Sequence, residues 1–283
     1  MTRMYDDKNQ NSGIDLDYIE KSLRTKCFGK KVVYYDEIDS TNALAKKLGK
    51  QSDTHGMLVI AEQQNAGRGR LGRNWSSPSG CGIWMTLILK PHIHPGHAAM
   101  LTLVAALAVN KGIRQLGLNS LIKWPNDIVV NGKKVCGILT EMNTSNEMLE
   151  CVVVGMGINA NIEFFSKELE TTASSLQLES GKKIDRDVLI VDIMKYFEQY
   201  YEVFMRTETL KDLVHEYNQV LVNANHEVKI IERDLVFEGI ALGIDETGVL
   251  LVKTQELEEG TLINKVKAVV AGEVSVRGIY GYV

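Results

Sequence analysis

The chain has 283 residues, enough for one large core and a smaller module. Its composition, 45% hydrophobic and 24% charged, is that of a globular protein, and the formal net charge of −4 argues against a general attraction to nucleic acid or anionic lipid. The four cysteines have no disulfide or zinc spacing. No apolar signal core precedes the first domain, and the longest nearly apolar run, residues 98–109, is too short to cross a bilayer. We therefore expect a cytoplasmic protein with no membrane partner.

Hydrophobic periodicity predicts alternating strands and helices over the first two thirds of the chain. A short helix is expected near residues 15–23, within an N-terminal extension of residues 1–30. Asn131-Gly132 predicts a hairpin turn, and Gly155 to Asn159 is expected to close a strand. The predicted strands are 31–35, 57–61, 82–89, 121–124, 127–130, 134–142 and 149–154, and the predicted helices are 40–50, 98–116, 186–204 and 210–223. These elements assign residues 31–223 to a first domain.

The hydrophobic pattern of the sequence changes after Asn225. Five short segments with alternating apolar residues are separated by turn residues, which is typical of a small β-barrel. The segments are 228–231, 236–242, 249–253, 263–270 and 273–276. A second domain is therefore predicted over residues 226–283.

The segment Gly67-Arg68-Gly69-Arg70-Leu71-Gly72-Arg73 alternates glycine and arginine and leads to Trp75. Glycine permits unusual backbone conformations, and arginine offers a planar fork of donors to phosphate or carboxylate oxygens. We predict a loop that closes over an anionic ligand and is mobile without it. A solvated basic turn and a nucleic-acid-binding tract are the alternatives, and the acidic net charge disfavours the second. The glycine spacing also matches a dinucleotide-binding fingerprint, but no apolar helix follows it.

Further polar residues follow predicted strands and begin a predicted helix. Lys123, Asn126, Asp127 and Lys134 would bring positive charge for a polyphosphate, together with one carboxylate able to help hold Mg²⁺. Ser40-Thr41-Asn42 offers hydroxyls and free backbone N–H groups to a polar ligand ring, although an ordinary helix cap is the favoured interpretation of this segment taken alone. The glycines at 137, 155 and 157 would leave room for a flat ligand, with the Asn159 amide at its edge.

Five motifs occur in an order that resembles the biotin–protein ligases, with coverage from residue 31 to residue 277. A sixth segment, Gly272 to Gly278, is similar to the C-terminal domain of that family. Leu71 stands where the family often has another arginine. The motifs are Glu37-Ile38-Asp39-Ser40-Thr41-Asn42, the Gly67–Arg73 loop, Lys123-Trp124-Pro125-Asn126-Asp127, Lys133-Lys134-Val135-Cys136-Gly137-Ile138-Leu139 and Gly155-Met156-Gly157-Ile158-Asn159.

The resemblance implies an α+β protein with a mixed-sheet catalytic domain, similar to that of class II aminoacyl-tRNA synthetases, and an SH3-like barrel. It also implies an ATP-dependent ligase. Biotin and MgATP would give biotinyl-5′-AMP, and a lysine of a biotin carboxyl carrier domain would then take the biotinyl group.

The resemblance also implies roles for individual residues. Lys134, Arg70 and Asp127 would be catalytic, with Asp127 either taking a proton from the carrier lysine or only ordering Mg²⁺ or Lys123. The biotin-binding residues would be Ser40, Thr41, Asn42, Gln64, Arg68, Gly69, Arg70, Lys134 and Gly137. The ATP-binding residues would be Arg68, Arg70, Arg73, Trp75, Lys123, Asn126, Lys134, Asn159 and Arg277, with Asp127 as the metal ligand.

Two other functions and one assembly stay open at this stage. A lipoate–protein ligase shares the fold and the adenylation chemistry, although the complete arginine loop and the C-terminal barrel favour biotin. A biotin-sensing repressor would need an N-terminal winged helix, for which residues 1–30 are too few, so no DNA partner is expected. An exposed strand edge would allow a homodimer.

Overall fold

The computed structural model describes residues 13–232, 235–258, 261–271, 274–278 and 282–283. Its larger sheet has seven strands in the order β1-β2-β3-β7-β6-β5-β4. β1 and β2 pair in parallel, and the other neighbours pair antiparallel. The strands are β1 Val32–Ile38, β2 Leu58–Gln64, β3 Ile83–Leu89, β4 Ser120–Lys123, β5 Asp127–Val130, β6 Lys133–Ser145 and β7 Met148–Ile158. The predicted mixed sheet is confirmed.

Helices cover the sheet and complete its core. α3 is buried over most of its length and packs against α5, and Phe197 and Phe204 of α5 are fully buried. By length and composition alone, the segment Pro95–Gln115 could cross a membrane, but 72% of its most apolar window is buried inside the fold. The helices are α1 Leu16–Ser22, α2 Thr41–Leu48, α3 Leu101–Gln115, α4 Leu176–Ser180, α5 Arg186–Thr207 and α6 Val214–Gln219, with 3₁₀ turns at Arg70–Gly72 and Pro95–Met100.

A second, five-stranded antiparallel sheet begins at Glu227 and has the order β11-β10-β9-β8-β12. Its strands are β8 Glu227–Glu232, β9 Leu235–Ile244, β10 Leu250–Glu258, β11 Thr261–Val269 and β12 Val274–Gly278. The two sheets share one continuous hydrophobic core. The indole of Trp124 donates a hydrogen bond to the Gly248 carbonyl at 3.1 Å, and the Trp124 backbone N–H donates to Asn223 at 3.1 Å. The turn that follows Lys123 is therefore held by the β9–β10 connection of the second sheet and by the segment that leads into β8.

Two local predictions were wrong. Gly155 to Ile158 was expected to close a strand but lies inside β7, where Gly155 pairs with Thr86 on one side and Leu139 on the other. Glycine weakens an isolated strand, yet a central strand with two neighbours has its backbone fully paired. The predicted helix 210–223 shortens to the six residues of α6, and α4 was not predicted. Of the segment 272–278, residues 272 and 273 lie outside the described residues.

Candidate active site

The arginine loop forms a compact hairpin beside the ends of the central strands. The backbone N–H of Trp75 donates to the Gly67 carbonyl at 2.9 Å, and that of Gly69 donates to the Arg73 carbonyl at 2.7 Å. At the tip, Leu71 and Gly72 have φ values of 57° and 70°, a left-handed conformation in which glycine has no Cβ to clash. These contacts close the loop into a hairpin whose residues line one part of the cleft.

Arg70 of this loop reaches across the cleft to the Lys-Trp-Pro-Asn-Asp turn. Its guanidinium donates to Asn126 Oδ1 at 3.0 Å, and the Asn126 amide donates in turn to the Ile138 carbonyl at 3.0 Å. Burial lowers the pKa of Arg70, while the Asp127 carboxylate opposes that shift. Arg70 stays charged because the ordinary pKa of arginine is so high. Its hydrogen bond to Asn126 fixes the guanidinium at the cleft wall.

A neutral polar cluster lies at the start of α2. Ser40 caps the helix by accepting from the Ala43 N–H at 3.4 Å. Gln64 Oε1 accepts from both the backbone N–H and the hydroxyl of Thr41, at 2.9 and 3.0 Å. The buried Thr86 hydroxyl lies 2.8 Å from the Thr41 hydroxyl and 2.7 Å from Asn42 Oδ1. The helix start is therefore both a cap and part of a connected set of polar groups at the cleft.

Trp75 lies on a patch of sheet that has no side chains. Gly137 of β6 and Gly157 of β7 are cross-strand partners. A Cβ added to Gly137 would lie 3.0 Å from the indole, and one added to Gly157 would lie 2.5 Å from its Nε1. The indole N–H is buried and has no hydrogen-bond partner among the described residues. The sequence predicted that these glycines leave room for a flat ligand. In the structure the Trp75 indole occupies this space and forms part of the cleft wall.

Positive charge surrounds one carboxylate at the turn between β4 and β5. Lys134 Nζ lies 2.6 Å from Asp127 Oδ1, an ion pair without the alignment of a hydrogen bond, and 5.0 Å from the Trp75 ring centre. Lys123 is buried, and its burial lowers its pKa to about 8. Asp127 opposes this shift, whereas the charges of Lys134 and Arg277 add to it. Close cations that cannot leave the site favour an anionic ligand.

Tyr282, which follows β12, also reaches this turn. Its hydroxyl donates to Asp127 Oδ2 at 2.5 Å, and Lys123 Nζ lies 3.4 Å from its ring centre. Burial and the Asp127 carboxylate raise the pKa of Tyr282, so it stays a proton donor. The Tyr282 side chain thereby contacts the carboxylate of the first domain.

These groups line one cleft of about 600 Å³. The structure brings all sixteen predicted site residues to its wall. Among the described residues of the wall are six cations and one carboxylate, so the cleft carries a large excess of positive charge. One predicted contact is already occupied, because the Asn159 amide donates to the Ser174 carbonyl at 3.0 Å. The predicted residues are Ser40, Thr41, Asn42, Gln64, Arg68, Gly69, Arg70, Arg73, Trp75, Lys123, Asn126, Asp127, Lys134, Gly137, Asn159 and Arg277.

Sequence reasoning missed several residues of the site. Tyr282 and Thr86 carry no motif, and only the pairing of distant segments brings them here. Phe164, which is 86% exposed at the rim, and Phe165 form an aromatic pair that begins five residues after the end of the Gly-Met-Gly-Ile-Asn motif, a signal that is visible in the sequence. Glu141, four residues beyond Gly137, accepts a hydrogen bond from the Asn42 amide, and in the sequence it is only one polar residue of the predicted strand 134–142.

Comparison with known proteins agrees with this architecture. Residues 34–159 match the Biotin/lipoate A/B protein ligase family, and residues 225–277 match the biotin protein ligase C-terminal domain. The first match places the mixed-sheet domain in the class of biotin and lipoate ligases, and the second adds a C-terminal domain of biotin protein ligases. The bifunctional ligase/repressor BirA of Bacillus spizizenii is 43% identical over 242 residues, covering 84% of this chain and 74% of that protein. The chain belongs to the biotin protein ligase family.

More distant relatives show the same arrangement. BirA of Escherichia coli is 30% identical over 259 residues, covering 91% of this chain and 77% of that protein. A solved biotin protein ligase from Aquifex aeolicus, in complex with biotin and ATP, superimposes with a TM-score of 0.73 at 27% identity. The alignment covers 88% of this chain and 99% of that one. The fold and both modules are therefore those of the family.

Proposed function

We propose that the cleft activates biotin with MgATP and transfers the biotinyl group to a lysine of a carrier domain. The observation that carries this proposal is the division of one cleft into two ends. The start of α2 supplies neutral hydrogen-bonding groups, the β4–β5 turn and the arginine loop supply cations, and Lys134 lies on the β6 strand that runs beside both. Such a cleft fits a ligand with a polar ring at one end and a phosphate at the other.

The neutral end favours a ring that carries N–H donors. Asn42 commits its amide N–H groups to Glu141 and to the Leu139 carbonyl, so its Oδ1 can only accept. Three contacts link Gln64 Oε1, the hydroxyls of Thr41 and Thr86, and Asn42 Oδ1. The two hydroxyls bring only two protons to these three contacts, so acceptors are in excess. The cyclic urea of biotin supplies N–H groups, whereas the dithiolane of lipoate supplies none.

Adenylation joins two anions, which repel each other. A biotin carboxylate oxygen bonds to the α-phosphorus, the bond from that phosphorus to the bridging oxygen breaks, and pyrophosphate leaves. We assign Lys134 and Arg70 to the reacting carboxylate and α-phosphate, because fixed cations stabilise charge that gathers in the transition state. We assign Lys123, Arg73 and Arg277 to the remaining phosphates.

The nucleoside and the metal complete this assignment. Trp75, Asn126 and Asn159 line the cationic end, and we assign this part of the wall to the adenosine. Mg²⁺ enters as part of MgATP, with the phosphates as its main ligands. Asp127 is the carboxylate that would help to hold it, and its Oδ1 accepts no aligned hydrogen bond from the part of the chain that the structure describes. Lys134 and Tyr282 would keep that carboxylate in place.

The second step needs a base rather than more cations. The carrier lysine attacks the acyl carbon, a C–N bond forms, the bond from that carbon to the phosphate oxygen breaks, and AMP leaves. The attacking ammonium must first lose a proton, and we assign Asp127 as the acceptor because it is the carboxylate of the cleft wall. The arginine loop would exclude water from the mixed anhydride until the carrier arrives.

Exchange of labelled pyrophosphate into ATP tests the proposal against its nearest rival. Exchange that requires biotin and is not supported by lipoate is the expected result. The physical reason is that a dithiolane would leave the polar groups around Asn42 buried without ligand partners, which costs roughly 1–3 kcal/mol for each group. Exchange with lipoate alone would contradict the assignment. Mass spectrometry of a carrier domain after incubation with MgATP and biotin then tests the transfer.

We also propose that the residues of this chain do not read a DNA sequence. Before β1, the described residues form one short helix, α1, which packs against α5. Recognition of a DNA groove needs an exposed helix or ribbon supported by its own domain. A gel shift at physiological salt, with excess competitor DNA, should show no specific complex with or without biotin.

A further inference from the structure

Behind the neutral end of the cleft, a charged pair holds the residue that we assign to the biotin ring. Glu141 of β6 accepts from the Asn42 amide at 2.9 Å through one carboxylate oxygen. Its other oxygen accepts from Lys46 at 2.9 Å. Lys46 lies one helical turn beyond Asn42 on α2, so helix and strand meet through this pair. Neither charge is among the residues that line the main cleft.

The pair determines which way the Asn42 amide faces. A carboxylate accepts hydrogen bonds and cannot donate them, so Glu141 can bond only the NH₂ group of the amide. The Leu139 carbonyl, also an acceptor, reinforces this choice at 3.2 Å. Oδ1 is thereby turned toward the Thr86 hydroxyl and the cleft. A flipped amide would set its oxygen against a carboxylate and its NH₂ group against the binding surface.

The environment of Glu141 keeps it in the required ionised form. Partial burial alone would raise the pKa of the carboxyl, but the hydrogen bonds from Asn42 and Lys46 outweigh it and lower that pKa. The charge of Arg68, a residue of the cleft wall, acts in the same direction. Glu141 therefore stays an acceptor at neutral pH.

We infer that Glu141, held by Lys46, is a positioning residue for biotin recognition, acting by fixing the orientation of the Asn42 amide. This inference rests on the proposed function. It predicts that Glu141 influences the binding of the ring but not of the nucleotide. It also predicts that this influence passes through Asn42 and vanishes when Asn42 is absent.

A double-mutant cycle on the full chain tests this pathway. The dissociation constant for biotin is measured by calorimetry for wild type, Glu141→Ala, Asn42→Ala and the double variant. Glu141→Ala should weaken biotin binding about tenfold, because a misoriented amide loses one buried hydrogen bond. In the Asn42→Ala background, the same change should have less than about a twofold effect, since neighbours that share a partner are not additive.

A matched control separates orientation from loss of stability. Asn143, two residues further along β6, donates to the Lys46 carbonyl at 3.0 Å and so also ties the strand to α2. Asn143→Ala removes that tie without touching Asn42 and should leave biotin binding unchanged. Glu141→Gln keeps an acceptor oxygen and should recover most of the affinity lost in Glu141→Ala. In all variants, the dissociation constant for a non-hydrolysable ATP analogue should stay within about twofold of wild type.

The outcomes separate this inference from the proposed function. Equal losses in Asn143→Ala and Glu141→Ala would mean that the pair only stabilises α2, and the inference would be wrong. Additive losses of Asn42→Ala and Glu141→Ala would also overturn it. Failure of wild type to bind biotin, or an unchanged constant in Asn42→Ala, would refute the proposed ring site itself and the inference with it. Nucleotide binding that falls with ring binding would contradict a specific role.

Discussion

Substituting the two glycines of β7 should separate the two ends of the cleft. Gly155 and Gly157 face the same side of the strand, since side chains alternate along it. A Cβ at Gly155 would lie 2.1 Å from Asn42 Oδ1, whereas one at Gly157 would lie 2.5 Å from Trp75 Nε1. Neither glycine has a positive φ, so alanine meets only this contact and no backbone strain. The same substitution therefore disturbs a different residue at each position.

The magnitude follows from what each neighbour loses when it moves. Asn42 must give up its contact to Thr86 at 2.7 Å or to Glu141 at 2.9 Å, because the backbone of Gly155 is fixed by pairing on both sides. Each such hydrogen bond contributes about 0.5–1.5 kcal/mol. Gly155→Ala should thus weaken biotin binding roughly twofold to tenfold and leave nucleotide binding nearly unchanged. Gly157→Ala displaces an indole instead and should mainly weaken nucleotide binding.

Calorimetry with biotin and with a non-hydrolysable ATP analogue measures both constants, and thermal unfolding checks each variant. Overpacking costs typically about 1–3 kcal/mol, so both melting temperatures should fall. Because Asn42→Ala removes the colliding group, the double variant Gly155→Ala/Asn42→Ala should melt above Gly155→Ala alone. Biotin binding at the wild-type level in folded Gly155→Ala, or equal losses of both ligands in both variants, would refute the division of the cleft.

Three further predictions concern the cations of the cleft wall. Lys134→Ala should abolish biotin-dependent pyrophosphate exchange in a folded protein, a loss of about 3 kcal/mol of transition-state stabilisation or more, and near wild-type exchange would reject the role. Because the pKa of Lys123 is lowered to about 8, its charge should disappear as pH rises from 7 to 9, so that KM for ATP increases; in Lys123→Arg, KM should stay flat over this range. Arg70→Gly removes one contact to the phosphate and should shorten the lifetime of bound biotinyl-adenylate about tenfold, measured by retention after rapid gel filtration. Hydrogen exchange across residues 64–76 that is equally slow with and without ligand would show that the loop is static and contradict this prediction.

The sequence predicts the parts of the site that are local in the chain. The arginine loop, the Lys-Trp-Pro-Asn-Asp turn and the hairpin at Asn131-Gly132 each contain their own turn residues, so their geometry depends little on distant segments. The motif residues line one cleft because the strands that carry them are neighbours in one sheet. The seven predicted strands of the first domain appear with ends shifted by up to four residues, as expected where pairing with a neighbour extends a short apolar run.

The features of the site that the sequence does not predict depend on strand register and on contacts between distant segments. That Gly137 lies opposite Gly157 follows only from the pairing of β6 with β7, and that Trp75 covers them follows only from the return of the arginine loop. Glu141 reaches Asn42 across 99 positions of the chain, and Tyr282 reaches Asp127 across 155. Neither pair has a local pattern, because a charged residue on a strand looks the same whether it faces solvent or a binding residue.

The two ends of the cleft would bind their ligands through different interactions, and this difference explains the position that we assign to Lys134. Ring recognition depends on neutral hydrogen bonds whose directions are fixed from behind by Glu141, so it gives specificity with little dependence on salt. Phosphate recognition depends on cations that repel one another when the cleft is empty, and it should weaken as ionic strength rises. Lys134 is tied to Asp127 at 2.6 Å and lies beside the Trp75 ring, where the two regions meet. A carboxylate carried by the ring ligand and a phosphate carried by the nucleotide repel each other, so they approach most favourably beside fixed cations, and we assign that position to Lys134 together with Arg70.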